Sequence, residues 1–293
     1  MRKVLKWIGG LVVLLLLVVI VAGVVLYVVG RNKLNETFDV AVAAVEVPAG
    51  DEAAIARGQH LSEAVTLCSE CHGMDLGGDE FLDSALLGKI YAPNLTAGAG
   101  GFGAEASPED WGRAVRHGID PEGKQLVGMP SKNLYYLSDA DLGALLAYIQ
   151  SVPPVDREQP EPSLAIPGTI MLAAGMLGEL PGDAIDHNAA RPTAPEPGMT
   201  AEYGEYLVTI ANCSDCHGDD LTGGPSMGPP PGPDLTQSGE LGGWTEQDFI
   251  NTIRQGVTPD GDTLDSEEMP WDYYTRMTDD ELKAIWMYLQ TLE

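Results

Sequence analysis

CSECHGMDLGG at residues 68–78 and CSDCHGDDLTGG at residues 213–224 are one phrase written twice, and they set how the rest of the chain is read. All four cysteines fall inside them, as Cys68 with Cys71 and Cys213 with Cys216, so no thiol is left for a disulfide framework. Working outward, each copy is preceded by a helical pattern, with Gly58 and Leu61 in the first and Gly204 and Leu207 in the second, offset by one residue. Downstream come Pro93-Asn94-Leu95-Thr96 and Pro233-Asp234-Leu235-Thr236. A second helix then opens at Ser107 or Thr245, N-cap types with Asp110 or Asp248 three residues on. Trp111, Ala114 and Val115 answer Phe249, Thr252 and Ile253, and Gly118 and Gly256 stand where a helix would stop.

After a loop, each copy carries Met129-Pro130 or Met269-Pro270, nine residues ahead of a last helix cap at Ser138 or Thr278. Asp141 and Glu281 follow at the third helical position. Leu142, Leu145, Leu146 and Ile149 in one copy, and Leu282, Ile285, Trp286 and Leu289 in the other, recur at three and four and mark one buried face. Between residues 51 and 152 nothing alternates as a strand should. The expected fold class is therefore all-α, built twice.

Cys-x-x-Cys-His is the attachment pattern of c-type haem. Two thiols about one helical turn apart can each form a thioether with a vinyl group of one porphyrin, and the next residue, His72 or His217, can offer its imidazole to the iron. A buried porphyrin also supplies apolar core that a domain of this size lacks. The rival readings fit less well: a zinc site would want a second cysteine pair some fifteen to twenty residues on, and a thioredoxin-type motif would sit beside a βαβ pattern. Two covalent haems are therefore expected.

Each iron still requires a second axial ligand, and methionine commonly partners histidine in such sites, raising the potential. Of ten methionines, Met129 and Met269 are the pair in matching places. They are the expected sixth ligands. Met277 answers Leu137 and reads as packing; His117 answers Gln255; Met74 lies too close to His72; Met171, Met176 and His187 have no counterparts. His60 reads as a surface or packing histidine. Arg116 and Arg254 match, and either a haem propionate or open solvent suits an arginine there.

Residues 1–33 read as a membrane anchor. From Ile8 to Val29 there is no charge, enough to cross roughly 30 Å of hydrocarbon. Arg2, Lys3 and Lys6 precede the run and are expected in the cytoplasm, placing the remainder of the chain on the periplasmic side as a single-pass protein of the cytoplasmic membrane. A cleaved signal would have a shorter apolar region and would send the remainder the same way. Five of the sixteen Lys and Arg lie at or before Lys33, while all 44 Asp and Glu lie after it. Nucleic acid is thereby a poor partner. The acidic surface either simply keeps the chain soluble or steers a basic partner such as a lysine-rich soluble cytochrome.

These elements resemble class I cytochrome c domains, and more closely the cytochrome subunits of membrane-bound alcohol and sugar-acid dehydrogenases. The resemblance rests on CSECHGMDLGG, APNLT, DWGRAVRHGI, GMPS and LSDADLGALLAYIQSVPPV in the first half, and on CSDCHGDDLTGG, GPDLT, MPW and DDELKAIWMYLQTL in the second. It covers roughly residues 52–155 and 200–292, while the repeats themselves give domains at 51–152 and 200–293, joined by 153–199, a linker rich in Pro and acidic residues at both ends. The linker's apolar middle, Leu164 to Leu180, is expected to form a short helix packed on a domain rather than on the membrane or another subunit. The resemblance also implies that Gly58 and Tyr148, and Gly204 and Tyr288, meet where first and last helices cross, and that Pro93 and Pro233 lie beside the proximal imidazoles. Those dehydrogenase subunits typically carry three haem domains, whereas this sequence has two attachment motifs.

An electron carrier rather than an enzyme is the expectation: a tethered di-haem relay, subunit of or donor to a quinol-oxidising complex, a terminal oxidase or a photosynthetic reaction centre. The alternative is the cytochrome subunit of a membrane-bound dehydrogenase. A di-haem peroxidase, which needs an open iron, or a haem-based sensor comes behind these.

Overall fold

Every helix start that the sequence marks with a Ser or Thr cap is one in the computed structural model, which describes residues 2–189, 193–224 and 231–293. Residues 190–192 of the expected linker lie outside the described residues. The anchor is one helix, α1 (Arg2–Leu34). The first repeat begins with α2 (Glu52–His60), capped by the Asp51 carboxylate, and runs through a π-helical turn, Leu61–Val65, into α3 (Cys68–His72). Two strands follow, β1 (Asp79–Ser84) and β2 (Gly88–Ala92), then α4 (Pro108–His117), α5 (Ser131–Leu134) and α6 (Asp139–Ser151). The connecting stretch holds β3 (Ser163–Leu164), α7 (Ile166–Ala173) and α8 (Pro181–Ala184). The second repeat is α9 (Ala201–Ile210), α10 (Cys213–His217), α11 (Glu246–Gln255), α12 (Trp271–Tyr274) and α13 (Asp279–Leu289).

The protein is predominantly helical, with one correction. Between residues 51 and 152 there is a β-hairpin, β1 against β2, and β3 from the connecting stretch adds a third antiparallel strand. Asp79, Glu80 and Asp83 break up the alternation of β1, which has no buried residue; its pairing is by backbone, which side-chain periodicity does not report. α7 packs on the hairpin's tip within the first repeat, in keeping with the expected domain surface, and in addition on the anchor α1.

Each repeat closes by crossing its first and last helices, α2 on α6 and α9 on α13. At both crossings a glycine removes the obstacle. A methyl on Gly58 would land on the Ala144 carbonyl oxygen with Tyr148 Cβ at 2.8 Å, and one on Gly204 would land on the Ala284 carbonyl with Tyr288 Cβ at 2.9 Å. Leu61, Leu142, Leu145 and Leu146 fill the space beneath the first crossing and Leu207, Leu282 and Ile285 the second.

The repeats meet across a pseudo-two-fold junction. His60 and Tyr206 hold matching places in their leading helices, and each reaches the acid at the third position of the other repeat's last helix: His60 Nε2 donates to Glu281 at 2.7 Å and Tyr206 Oη donates to Asp141 at 2.7 Å. Arg57 sits between them, bidentate on Asp141 at 2.9 and 3.1 Å and 3.3 Å from Glu281. The short helices after the two Met-Pro pairs repeat the exchange, α5 touching α9 and α12 touching the π-turn of the first repeat.

Candidate functional site

Both attachment motifs are single helical turns, α3 and α10, each entered through a left-handed residue, Leu67 at φ 54° and Asn212 at φ 60°. That kink starts a new helical turn at the first cysteine. Cys68, Cys71, Cys213 and Cys216 are free and half-buried. Burial pushes the Cys71 and Cys213 thiols up to about 12, the reverse of what a redox nucleophile or a metal thiolate requires. Among the described residues no group of three or more His, Cys, Asp and Glu converges on either pair.

The imidazoles are oriented alike. His72 Nδ1 donates to the Pro93 carbonyl and His217 Nδ1 to the Pro233 carbonyl, both at 2.8 Å. Both rings are buried, and burial holds each below the usual imidazole range, so each is neutral with Nε2 left as the lone-pair nitrogen. A carbonyl on one nitrogen and a free lone pair on the other is the arrangement a metal-ligating histidine requires. The residues present therefore fit a covalent haem: two thiols on one turn, an oriented neutral imidazole beside them, and apolar core around.

Two groups that sequence reasoning passed over hold this arrangement. Asn94, fully buried, donates to the carbonyls of Val155 and Arg157 at 2.6 and 3.1 Å and accepts from Thr96, which locks the peptide after Pro93 against the chain leaving α6. Leu76 and Leu221, four residues past each histidine, are buried with φ of 53° and 60° and bind the Leu95 and Leu235 amides at 2.8 Å. A leucine kept at a left-handed position twice was the available signal, since such backbone is costly for a branched side chain.

Met129 and Met269 are both half-buried against the core, each just ahead of the proline that caps α5 or α12, and each carbonyl accepts the amide two residues on, at 2.9 and 2.6 Å. Arg116 is not a solvent arginine: it is 1% exposed, donates to the Leu137 carbonyl at 2.7 Å and pairs with Asp139 at 2.8 Å. Arg254 binds Thr275 O and Asp279 in the same way. Both clamp the segment between the Met-Pro pair and the last helix. His117 meets His187, Nδ1 to Nδ1 at 2.9 Å, tying α4 to the connecting stretch.

The family described as Cytochrome c matches residues 201–293, and that described as Cytochrome C oxidase, cbb3-type, subunit III matches residues 53–149. The chain is a cytochrome c-type protein. Its relatives include the cytochrome c subunit of the quinone alcohol dehydrogenase of Gluconobacter oxydans, 26% identical over 86% of this chain and 58% of that one. The gluconate 2-dehydrogenase cytochrome c subunit of Pantoea cypripedii is 31% identical over 60% of this chain and 40% of that one. A diheme cytochrome c-type protein of Cereibacter sphaeroides is 27% identical over 76% and 81%. The cytochrome thus spans less than two thirds of the dehydrogenase subunits it resembles. It carries two attachment sites for haem c, and it is an electron carrier related to the cytochrome subunits of dehydrogenase complexes. Its helix α1, long and apolar enough to span a bilayer, anchors it in a membrane.

The junction between the repeats gives a prediction. Burial alone would raise the Glu281 carboxyl, but the hydrogen bond from His60, the Thr278 amide and the Arg57 charge together hold it below the usual range. A depressed carboxylate contributes stability that is full above its unfolded pKa and lost as pH falls through the folded one. Guanidinium midpoints of the cytochrome in micelles should therefore drop as pH falls below about 4, and Glu281→Gln should flatten that part of the curve. Arg57→Ala should cost about 2 kcal/mol at neutral pH.

Proposed function

We propose that the cytochrome is the tethered electron relay of a membrane-bound dehydrogenase, with haem domains at 51–152 and 200–293 on the periplasmic side. His72 and Met129 would hold the first iron, His217 and Met269 the second. Bound haem c supplies a one-electron ferrous–ferric couple. The chain's residues attach it, orient the imidazole and, with both faces of the iron filled, keep peroxide and other small ligands away. The observation that carries the reading is the likeness to cytochrome subunits of alcohol and gluconate dehydrogenases, spread over 86% and 60% of the chain. It favours the dehydrogenase alternative over a quinol-oxidising complex or a reaction centre. The match of residues 53–149 to the cbb3 oxidase subunit keeps a terminal oxidase as the second reading.

The acidic exterior suits a basic soluble acceptor. Tethering raises the local concentration of the donor, so a weak, salt-sensitive encounter suffices on the acceptor side. Copurification from native membranes separates the readings: a dehydrogenase subunit bound to the cytochrome is expected, and an oxidase core in its place would overturn the assignment.

A further inference from the structure

Helix α7 has an unexpected neighbour for a segment that joins two soluble repeats. On the anchor, Leu26, Tyr27 and Gly30 are shielded from solvent before Arg31, and Leu26 and Tyr27, four and three residues ahead of Gly30, share its face. α7 packs on α1, and a methyl on Gly30 would land on the Thr169 carbonyl oxygen, so the two backbones touch there. Small residues permit such close approach between helices in lipid. The uncharged run of α1 continues to Gly30. Leu26 is five residues short of Arg31, about 8 Å nearer the bilayer centre at 1.5 Å per residue. The shielded face thus extends into the part of α1 that lies in hydrocarbon.

The outward side of α7 is apolar as well. No residue from Leu164 to Gly178 is charged. Ile166 is 62% exposed and Met176 64%. Leu86, 54% exposed at the tip of the β1–β2 hairpin, stands beside the start of α7 and Ile166, because the Gly168 amide donates to its carbonyl at 3.1 Å and the Ala165 amide to that of Leu87 at 2.9 Å. Scattered apolar side chains on a surface call for no cover, but a patch continuous with a spanning helix does. Just beyond it Lys33 pairs with Asp183 at 3.5 Å, where both segments return to water.

We propose that α7 and the hairpin tip form a second, monotopic membrane contact. They lie in the boundary between headgroups and acyl chains against α1, the depth at which apolar surface helices settle. The occupant of the patch is lipid, because the patch continues a surface already in lipid. Its chemistry is apolar rather than basic, so the contact does not depend on anionic headgroups. The consequence is mechanical. A single spanning helix leaves the soluble part free to swing, whereas two contacts fix its tilt and hold each haem-bearing repeat at a constant height above the membrane.

The test uses the full-length holoprotein in vesicles of phosphatidylcholine that include a phosphatidylcholine with a photoactivatable diazirine on its acyl chain. After irradiation, peptide mapping should find lipid adducts on α1 and on the peptide carrying Ile166 and Met176. Those adducts should persist at high salt and be absent from the peptide of Met287, an exposed residue of α13. In Ile166→Asp with Met176→Asp, both exposed on the protein's surface and so compatible with folding, the α7 adducts should be lost while those on α1 remain. Adducts confined to α1 in the native sequence would overturn the proposal, as would α7 adducts undiminished in the variant. In native membranes, cross-links from α7 to a protein subunit in place of lipid would overturn it too.

Discussion

With Met269 as the proposed sixth ligand, Met269→Ala should lower the reduction potential of the second haem by on the order of a hundred millivolts or more and leave the first nearly unchanged. A thioether is a soft ligand that favours ferrous over ferric iron; without it, water or another hard ligand stabilises the ferric state. The surrounding loop should survive the change. The Trp271 amide is held by the residue 269 carbonyl, which alanine keeps, and Tyr274 Oη donates to the Ala211 carbonyl at 2.7 Å. The effect is then on the iron and not on the fold. Redox titration followed in the visible bands should split into one shifted and one native wave, and the ferrous variant should bind carbon monoxide at one haem per chain. Met129→Ala should mirror this at the first haem. An unaltered spectrum would remove the methionine from the ligand set.

What made the attachment sites legible is that bond-forming chemistry fixes their spacing. Two thioethers and an adjacent imidazole admit little variation, and duplication repeated the message. Capping was legible for the same reason of locality: Ser107 with Asp110, Thr245 with Asp248 and Thr278 with Glu281 all close as reciprocal boxes. Ser138 is the informative exception. It accepts from the Asp141 amide, but the Asp141 carboxylate turns instead to Arg57 and Tyr206. A local motif lost half its bonds to a contact made across the junction.

The junction itself was illegible. His60 and Arg57 lie more than two hundred residues from Glu281, and their matched positions in the second repeat are Tyr206 and Tyr203. Charge answers hydroxyl, so aligning the repeats gave no sign that these positions share a role. The sheet was illegible for a related reason. β3 reaches β2 from beyond α6, with Leu164 opposite Gly88, and no window of local sequence contains both.

Gly204→Val should unfold the second repeat, and Gly58→Val the first. Two effects oppose each other at these positions, and their sizes decide the outcome. Glycine inside a helix costs up to about 1 kcal/mol relative to alanine, so propensity alone favours a larger side chain. Against that, the first carbon added would meet the carbonyl of Ala284 or Ala144, which belongs to a helix backbone and cannot rotate aside. The two helices must separate, opening the packing among Leu207, Leu282 and Ile285 or its counterpart beneath Gly58. Overpacking of this kind costs on the order of 3 kcal/mol, and a branched side chain costs more. Gly243, just ahead of α11, is the control, because a methyl there meets nothing within 4 Å. Guanidinium midpoints read by circular dichroism and by the haem band should fall steeply for Gly204→Ala and further for Gly204→Val, while Gly243→Ala changes little. A midpoint that rises with Gly204→Ala would mean that the helices do not touch at that glycine, and the close crossing that shapes each repeat would have to be abandoned.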